Sequence, residues 1–337
     1  LVEARNSAIS HVSIALKNFG WGNAQMAASE FLLDASDGAR IFVRRWLPEA
    51  PPRAIVQIAH GLVEHSQRYQ DFALTLNGAG IGAYANDHRG HGRTAQAGEL
   101  GFFAAENGWR LCLEDQWTLN RRIAAENPGA PIFFFGHSMG SFMGQSIIAD
   151  HGDALAGAIL SGSNGRPPAI AAVAPFIARF ERLRLGPRGK SALLKQMMFG
   201  EFNKPFRPAR TDFDWLSRDA AQVDAYVADP LCGFDFTTQL VIDLLAGLPP
   251  LLAPATLARI PKALPILIIN GERDPVGANI QSLIEAYRAA GLSPTVRRYP
   301  DARHETLNET NREEVKADVI GWIEGVLGKR QGAGASA

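Results

Sequence analysis

A chain of 337 residues that sets 34 Lys and Arg against 34 Asp and Glu has a formal net charge of zero. That leaves no electrostatic footprint for nucleic acid, which is excluded as an expected partner. The length accommodates one large α/β domain with an insertion, or two domains, and the chain contains no apolar run of the roughly 18 residues that mark a transmembrane helix.

Residues 1–25 precede the first strand pattern. The apolar stretch from Ile9 to Leu16 is broken by Ser10, His11 and Ser13, and no basic region stands before it. It lacks the layout of a secretory signal, so the segment is expected to be an N-terminal extension, disordered or foreign to the domain. The two cysteines, Cys112 and Cys232, lie far apart. A reduced, cytoplasmic protein is the simplest expectation, with a single disulfide as the alternative.

From residue 26 onward strands and helices alternate. Strands are predicted over 30–33, 41–46, 54–59, 81–86, 132–135, 158–160, 266–269 and 296–299. Helices are predicted over 68–76, 108–127, 138–150, 279–290 and 312–327. Residues 40–46 alternate as a meander strand does, whereas Phe133 to Phe135 and Ile266 to Ile269 are apolar throughout, as strands covered on both faces must be. The pattern implies an α/β fold: a mostly parallel, doubly wound, eight-stranded sheet opened by an antiparallel meander. The core is expected to comprise 26–164 and 258–328. The rhythm breaks over 165–257, too long for one crossover, where helix-like pieces (169–180, 193–199, 239–246) alternate with prolines. This stretch is expected to be a helical cap over the carboxyl edge of the sheet. Phe176, Met198 and Leu244 are its candidate substrate-binding residues. Residues 329–337 have the composition of a flexible tail.

The chemistry begins at Gly136-His-Ser-Met-Gly140, set between a predicted strand and a predicted helix. That is the context of a nucleophile elbow, in which a strained turn lifts the Ser138 hydroxyl clear of the sheet. A serine hydroxyl needs a general base, and the base needs a third group to fix its tautomer. On this fold the order is Ser, acid, His. Asp274 follows the strand at 266–269, and His304, the only histidine after His151, follows the strand at 296–299. An oxyanion hole needs two main-chain donors. Met139 supplies one, and Leu62, in the loop after the strand at 54–59, is the candidate for the other.

Other signals carry less. His60-Gly-Leu-Val-Glu-His65 has neither zincin spacing, and Gly61 is unsuited to a helix. Asp87-His-Arg-Gly-His-Gly-Arg93 reads as a loop brace behind the site. Gly186-Pro-Arg-Gly-Lys-Ser191 lacks the first glycine of a phosphate loop. No metal site and no cofactor are expected.

Five segments in order (60–65, 87–93, 136–140, 271–274 and 303–309) resemble the α/β-hydrolase superfamily. Within it they are most similar to the monoacylglycerol lipase and lysophospholipase-like branch, grouped with serine aminopeptidases. The resemblance carries the nucleophile onto Ser138, the acid onto Asp274, the base onto His304, and the oxyanion donors onto Leu62 and Met139. Val63 departs from it, since many relatives have a second glycine there. Trp215-Leu-Ser-Arg-Asp219 with Val223–Pro230 also resembles bacterial lysophospholipase-like sequences. The expected function is hydrolysis of carboxylic esters through an acyl-enzyme on Ser138, with monoacylglycerols, lysophospholipids or medium-chain esters as substrates. The expected partners are a lipid-like small molecule and, transiently through the cap, a membrane surface. Two alternatives stand beside it: amide or peptide hydrolysis by the same triad, with Asp212, Asp214, Asp219, Asp224, Asp229 and Asp235 as an amine-binding patch, and a ligand-binding homologue without turnover.

Overall fold

A computed structural model describes residues 28–96, 98–167 and 172–334. The extension expected over 1–25 lies outside the described residues. The chain runs β1 (Ser29–Asp34), β2 (Arg40–Trp46), β3 (Ala54–Ala59), α1 (Gln70–Gly78), β4 (Ile81–Asn86), α2 (Gly108–Glu126), β5 (Ile132–His137), α3 (Met139–His151) and β6 (Gly157–Ser161). The insertion between β6 and β7 carries α4 (Ala174–Leu185), α5 (Ala192–Phe199), α6 (Ala220–Ala228), α7 (Thr238–Gly247) and α8 (Pro254–Arg259). The sheet then resumes with β7 (Ile266–Gly271), α9 (Ile280–Ala289), β8 (Thr295–Tyr299) and α10 (Arg312–Gly334).

All eight strands form one sheet, in the order β1-β2-β4-β3-β5-β6-β7-β8. β1 pairs antiparallel with β2, and β2 with β4. Every other pairing is parallel, so β3, β5, β6, β7 and β8 present their carboxyl ends along one edge. Side chains alternate faces along a strand, and both faces are covered. Phe134 and Ile268 join the core cluster that also holds Leu119 of α2, Ile147 of α3 and Leu283 of α9. Phe133, Phe135, Leu267 and Ile269 join the opposite cluster, with Phe72 of α1 and Val319 of α10. That two-sided burial explains why these strands read as unbroken apolar runs.

Three departures from expectation have local causes. Pro254, one of the prolines expected between the helix-like pieces, is instead the first residue of α8, where a missing N–H costs nothing. α6 escaped notice because its periodicity is thin, with only Val223 and Tyr226 buried; its start is fixed instead by Asp219, whose side chain accepts from the Ala221 amide at 3.0 Å. Residues 329–334, expected within a flexible tail, continue α10.

Candidate active site

β5 runs straight into α3, and Ser138 is the hinge between them. Its φ of 51° and ψ of −119° lie where a non-glycine residue is strained. The strain is held by bonds on both sides: Ser138 N–H donates to the Ser161 carbonyl at 2.9 Å, and the Ser141 hydroxyl donates to the Ser138 carbonyl at 2.6 Å. The turn closes only because its flanks are bare. A Cβ on Gly136 would sit 2.2 Å from the Gly140 carbonyl oxygen, and one on Gly140 would sit 2.0 Å from the Ala59 oxygen. The hydroxyl is thereby delivered to the carboxyl edge of the sheet, half-buried, on the wall of a cavity.

His304 lies on the loop after β8 and lines the same cavity. Its Nδ1 is 2.9 Å from Oδ1 of Asp274, on the loop after β7. Asp274 is fixed in turn by the Val276 amide at 2.8 Å and by Asn270 Nδ2 at 3.3 Å. Both partners of the pair are buried. Burial opposes charge on the imidazole, but the Asp274 carboxylate, with Glu305 and Glu64 beyond it, outweighs burial and raises the His304 pKa above the ordinary histidine value. With Nδ1–H held by Asp274, Nε2 is left as the basic nitrogen, the tautomer a general base requires. His137, whose ring lies 4.6 Å from that of His304, is held at a pKa of about 4 by burial and by its neighbour, and stays neutral.

The loop after β3 is shaped by Glu64. Its Oε1 accepts from the Gly61 amide at 2.6 Å and from the Tyr69 hydroxyl at 2.9 Å. Among the described residues, neither the Leu62 amide nor the Met139 amide has a protein acceptor. Val63 adopts φ 54°, a left-handed conformation that is costly for a β-branched residue and that a glycine would adopt freely. Behind the loop, His60 accepts from the His88 amide at 2.9 Å, and the buried His60, His88 and His91 rings cluster. Burial pushes His88 down to about 3 and His91 to about 4, so the brace is uncharged.

Two buried networks went unforeseen. Arg68 bridges Glu64 and Glu305 at 2.6 Å each, with a two-pronged contact to Glu305. It ties the Leu62 loop to the residue that follows His304. The signal was present: Glu64 stands three residues past Gly61, Arg68 one helical turn further, and Glu305 beside the base. The second network comes from the insertion. The His304 and Glu305 amides donate to the Trp215 and Leu216 carbonyls at 3.3 and 2.8 Å. Ser217 Oγ donates to the Asn308 carbonyl at 2.8 Å, and Arg218 Nε to the fully buried Glu309 at 2.8 Å. The Trp215–Asp219 segment, which by chain order belongs to the stretch expected as a cap, props up the loop that carries His304.

Between the sheet edge and the insertion lies a cavity of about 710 Å³. Leu62, Met139, Phe142, Phe199 and Phe202 give it an apolar wall, and Lys195, Lys204, Arg207 and Asp212 lie on its polar side. Met198 and Leu244 line it as expected from the sequence. Phe176 does not: α4 turns Ile177 and Ala178 toward the core, which leaves Phe176 70% exposed on the outer surface. The six cap aspartates do not form a patch either. Asp219, Asp224, Asp229 and Asp235 pair with Arg312, Arg210, His65 and Lys195, and Asp214 accepts from the Arg210 and Thr211 amides. Asp212 alone reaches the cavity.

The family model described as serine aminopeptidase, S33 matches residues 50–311, and the chain belongs to that family of α/β-hydrolases. A monoacylglycerol lipase of Mycolicibacterium smegmatis is 30% identical over 308 residues, 88% of this chain and 96% of that protein. A monoglyceride lipase of Mus musculus is 26% identical over 300 residues, 86% and 88% of the two chains. Among solved structures, a thermostable carboxyl esterase from Bacillus coagulans in complex with glycerol superposes with a TM-score of 0.82 at 29% identity, covering 90% of this chain and all of that one.

Proposed function

We propose that this chain hydrolyses carboxylic esters of lipid type, monoacylglycerols foremost, through an acyl-enzyme on Ser138. One observation carries the reading: a buried His304–Asp274 pair and a strained, cavity-facing Ser138 open on the same largely apolar cavity. In the reading, Nε2 of His304 takes the hydroxyl proton as Ser138 Oγ attacks the ester carbonyl. The Leu62 and Met139 amides, free of protein acceptors, receive the oxyanion. His304 then passes its proton to the leaving alkoxide, so that glycerol or another alcohol departs. Water, deprotonated by the same nitrogen, releases the acid and restores Ser138. Asp274 orients the ring and stabilises the imidazolium.

The insertion acts as a cap in this scheme, with Met198 and Leu244 against the acyl chain. The substrate class is carried over from the monoacylglycerol and monoglyceride lipases to which the chain is similar. The outer surface of the cap supports transient contact with a lipid surface: Phe176, Phe180 and Leu183 stand exposed on α4, and Leu193 and Met197 on α5. No described helix is long and apolar enough to cross a membrane. Two free, buried thiols, Cys112 and Cys232, fit a reducing, cytoplasmic setting. The aminopeptidase alternative is disfavoured because, of the six aspartates that would bind a substrate amine, Asp212 alone reaches the cavity.

The test compares p-nitrophenyl esters and monoacylglycerols with aminoacyl p-nitroanilides, alongside fluorophosphonate labelling of Ser138. Multiple turnover of esters with labelling at Ser138 is the expected result. Faster turnover of the anilides would overturn the ester reading, and binding without turnover would make the chain a receptor.

A further inference from the structure

Directly behind the cavity wall three side chains of different chemistry converge. His65 leaves the loop after β3, while Asp229 and Cys232 come from the turn after α6. One donor atom from each lies within 4.8 Å of the other two. None of the three lines the cavity. His65 and Cys232 are buried, and the Asp229 side chain keeps 32% of its surface, which gives an ion a way in from solvent.

The geometry points to a binding site here for a thiophilic divalent cation of the zinc class, held by His65, Asp229 and Cys232. An imidazole nitrogen, a carboxylate oxygen and a thiolate sulfur are the donors such ions take, three at a time when a fourth position stays open to water. The site is built on both sides. The Leu231 amide fixes Oδ1 of Asp229 at 2.8 Å, leaving Oδ2 to face His65 Nε2, also at 2.8 Å. The Gly233 amide and the Tyr226 hydroxyl both donate to the Val63 carbonyl, at 2.9 and 3.0 Å, so the turn carrying Asp229 and Cys232 is stitched to the loop carrying His65. A tetrahedral ion needs donor separations of roughly 3.3–3.7 Å, so the His65–Asp229 pair opens by about half an ångström and the sulfur closes in.

The surrounding field favours a cation. Glu64, Glu305 and Asp229 face the thiol against the single positive charge of Arg68. Burial and those carboxylates push the Cys232 thiol far up, so the empty site holds S–H. Binding balances in charge as the ion's two positive charges meet the Cys232 thiolate and the Asp229 carboxylate, the thiol giving up its proton to solvent. Affinity should rise about tenfold per pH unit for that proton. No local spacing announces the set, because His65 and Asp229 are 164 residues apart. An ion there would pin the Leu62 loop to the insertion.

The experiment titrates the metal-free full chain with Cd²⁺, following thiolate-to-metal absorption, and with Zn²⁺ by calorimetry in buffers of differing ionisation enthalpy. One equivalent, a thiolate band and release of one proton are expected. Cys232→Ser should abolish the band, and His65→Gln and Asp229→Asn should each weaken binding by about 10–100-fold, taken as at least the loss known for an outer partner of a metal ligand. Cys112→Ser should leave it intact. The site is overturned if no band appears, if the band survives in Cys232→Ser, or if His65→Gln and Asp229→Asn bind as tightly as the native chain. Circular dichroism of each variant separates loss of ligand from loss of fold.

Discussion

The sheet edge and the insertion above it share one cavity and are built in opposite ways. At the edge, Ser138, Asp274 and His304 are locked by main-chain bonds and buried charge pairs, and His304 is 2% exposed. On the insertion, α4 and α5 meet solvent with bare apolar side chains, Leu183 reaching 85% exposure. Between them the Trp215–Asp219 segment belongs to the insertion by chain order and to the edge by its bonds to the His304 loop. Under the proposed function, a site divided this way would keep its chemistry rigid and leave its choice of substrate adjustable. The comparison is sharpest if damage at the edge costs rate or stability while damage on the insertion changes only which ester is taken.

The largest effect belongs to Ser138→Ala and His304→Ala, each expected to lower kcat by roughly 10³-fold or more with the melting temperature preserved, because a triad works as a unit. Ester turnover in Ser138→Ala above a tenth of the native rate would remove the edge from the mechanism. Arg68→Ala comes next. It strands two buried carboxylates, Glu64 and Glu305, and breaking a buried pair costs about 3–5 kcal/mol. Desolvation alone would raise the Glu305 pKa, but Arg68 holds it well below the ordinary carboxylate range. A depressed folded pKa means stability that is present at neutral pH and lost as pH falls through that depressed value. Denaturant midpoints of the native chain should therefore fall on acidification more steeply than those of Arg68→Ala. A variant as stable as the native chain would show the network to be ornamental.

The pH dependence cuts across the two regions. In the proposed mechanism His304 must be neutral to act as base, and its pKa is raised by Asp274 over the opposing effect of burial. Activity should then climb with pH through a midpoint above the ordinary value of about 6.5, losing about tenfold per unit below it. The stability of the pair runs the other way: a raised folded pKa contributes below the unfolded value and is lost as pH rises through the folded one. Asp274→Asn should lower the midpoint of whatever kcat/KM survives. A flat profile from pH 5 to 8 would exclude a histidine base.

How much of this was legible depended on how local the cause was. The strands and the order of Ser138, Asp274 and His304 followed from apolar runs and a turn motif, because backbone sterics act within a few residues. Met198 and Leu244, chosen as apolar residues in helix-like pieces, do line the cavity, and the same reasoning misplaced Phe176. A helix's inward face is set by what it packs on, here Ala178 and Ile177 against α7 and its neighbours, and an apolar residue on the outward face looks identical in sequence. The bonds from Trp215–Asp219 to the His304 loop were invisible because their partners lie about 90 residues away. Charge pairing hid the same way: six aspartates in one stretch read as a patch, yet five of them are taken by an arginine, lysine, histidine or turn amide and Asp212 alone faces the cavity.

The exposed face of α4 offers a smaller effect, confined to surfaces. Phe176→Asp with Phe180→Asp removes two apolar anchors, each good for about 1.5–3 kcal/mol when fully buried. Flotation with phosphatidylcholine vesicles should show binding lost, while kcat/KM on a water-soluble short ester stays within about twofold, the scatter of a surface change away from the site. Equal flotation of variant and native chain would leave α4 without a lipid role.

The smallest and most discriminating change lies inside the cavity. Each methylene of an acyl chain that enters an apolar pocket gains about 0.8 kcal/mol, or about fourfold in kcat/KM when the gain is kept in the transition state. A cavity of about 710 Å³ shared with the leaving group ends that gain once the chain outgrows it. The profile over p-nitrophenyl esters of graded length should rise and then level. Leu244 is buried on α7 against the cavity, and Met198 closes it from α5. Replacing Leu244 by Phe should shorten the chain length at which the profile levels, and replacing Met198 by Ala should lengthen it, because a larger side chain removes volume and a smaller one returns it. kcat on the shortest ester should hold in both, since neither residue touches Ser138, Asp274 or His304 through a hydrogen bond. A profile that shifts in neither variant would mean the acyl chain lies elsewhere, and the insertion would lose its claim to choose the substrate.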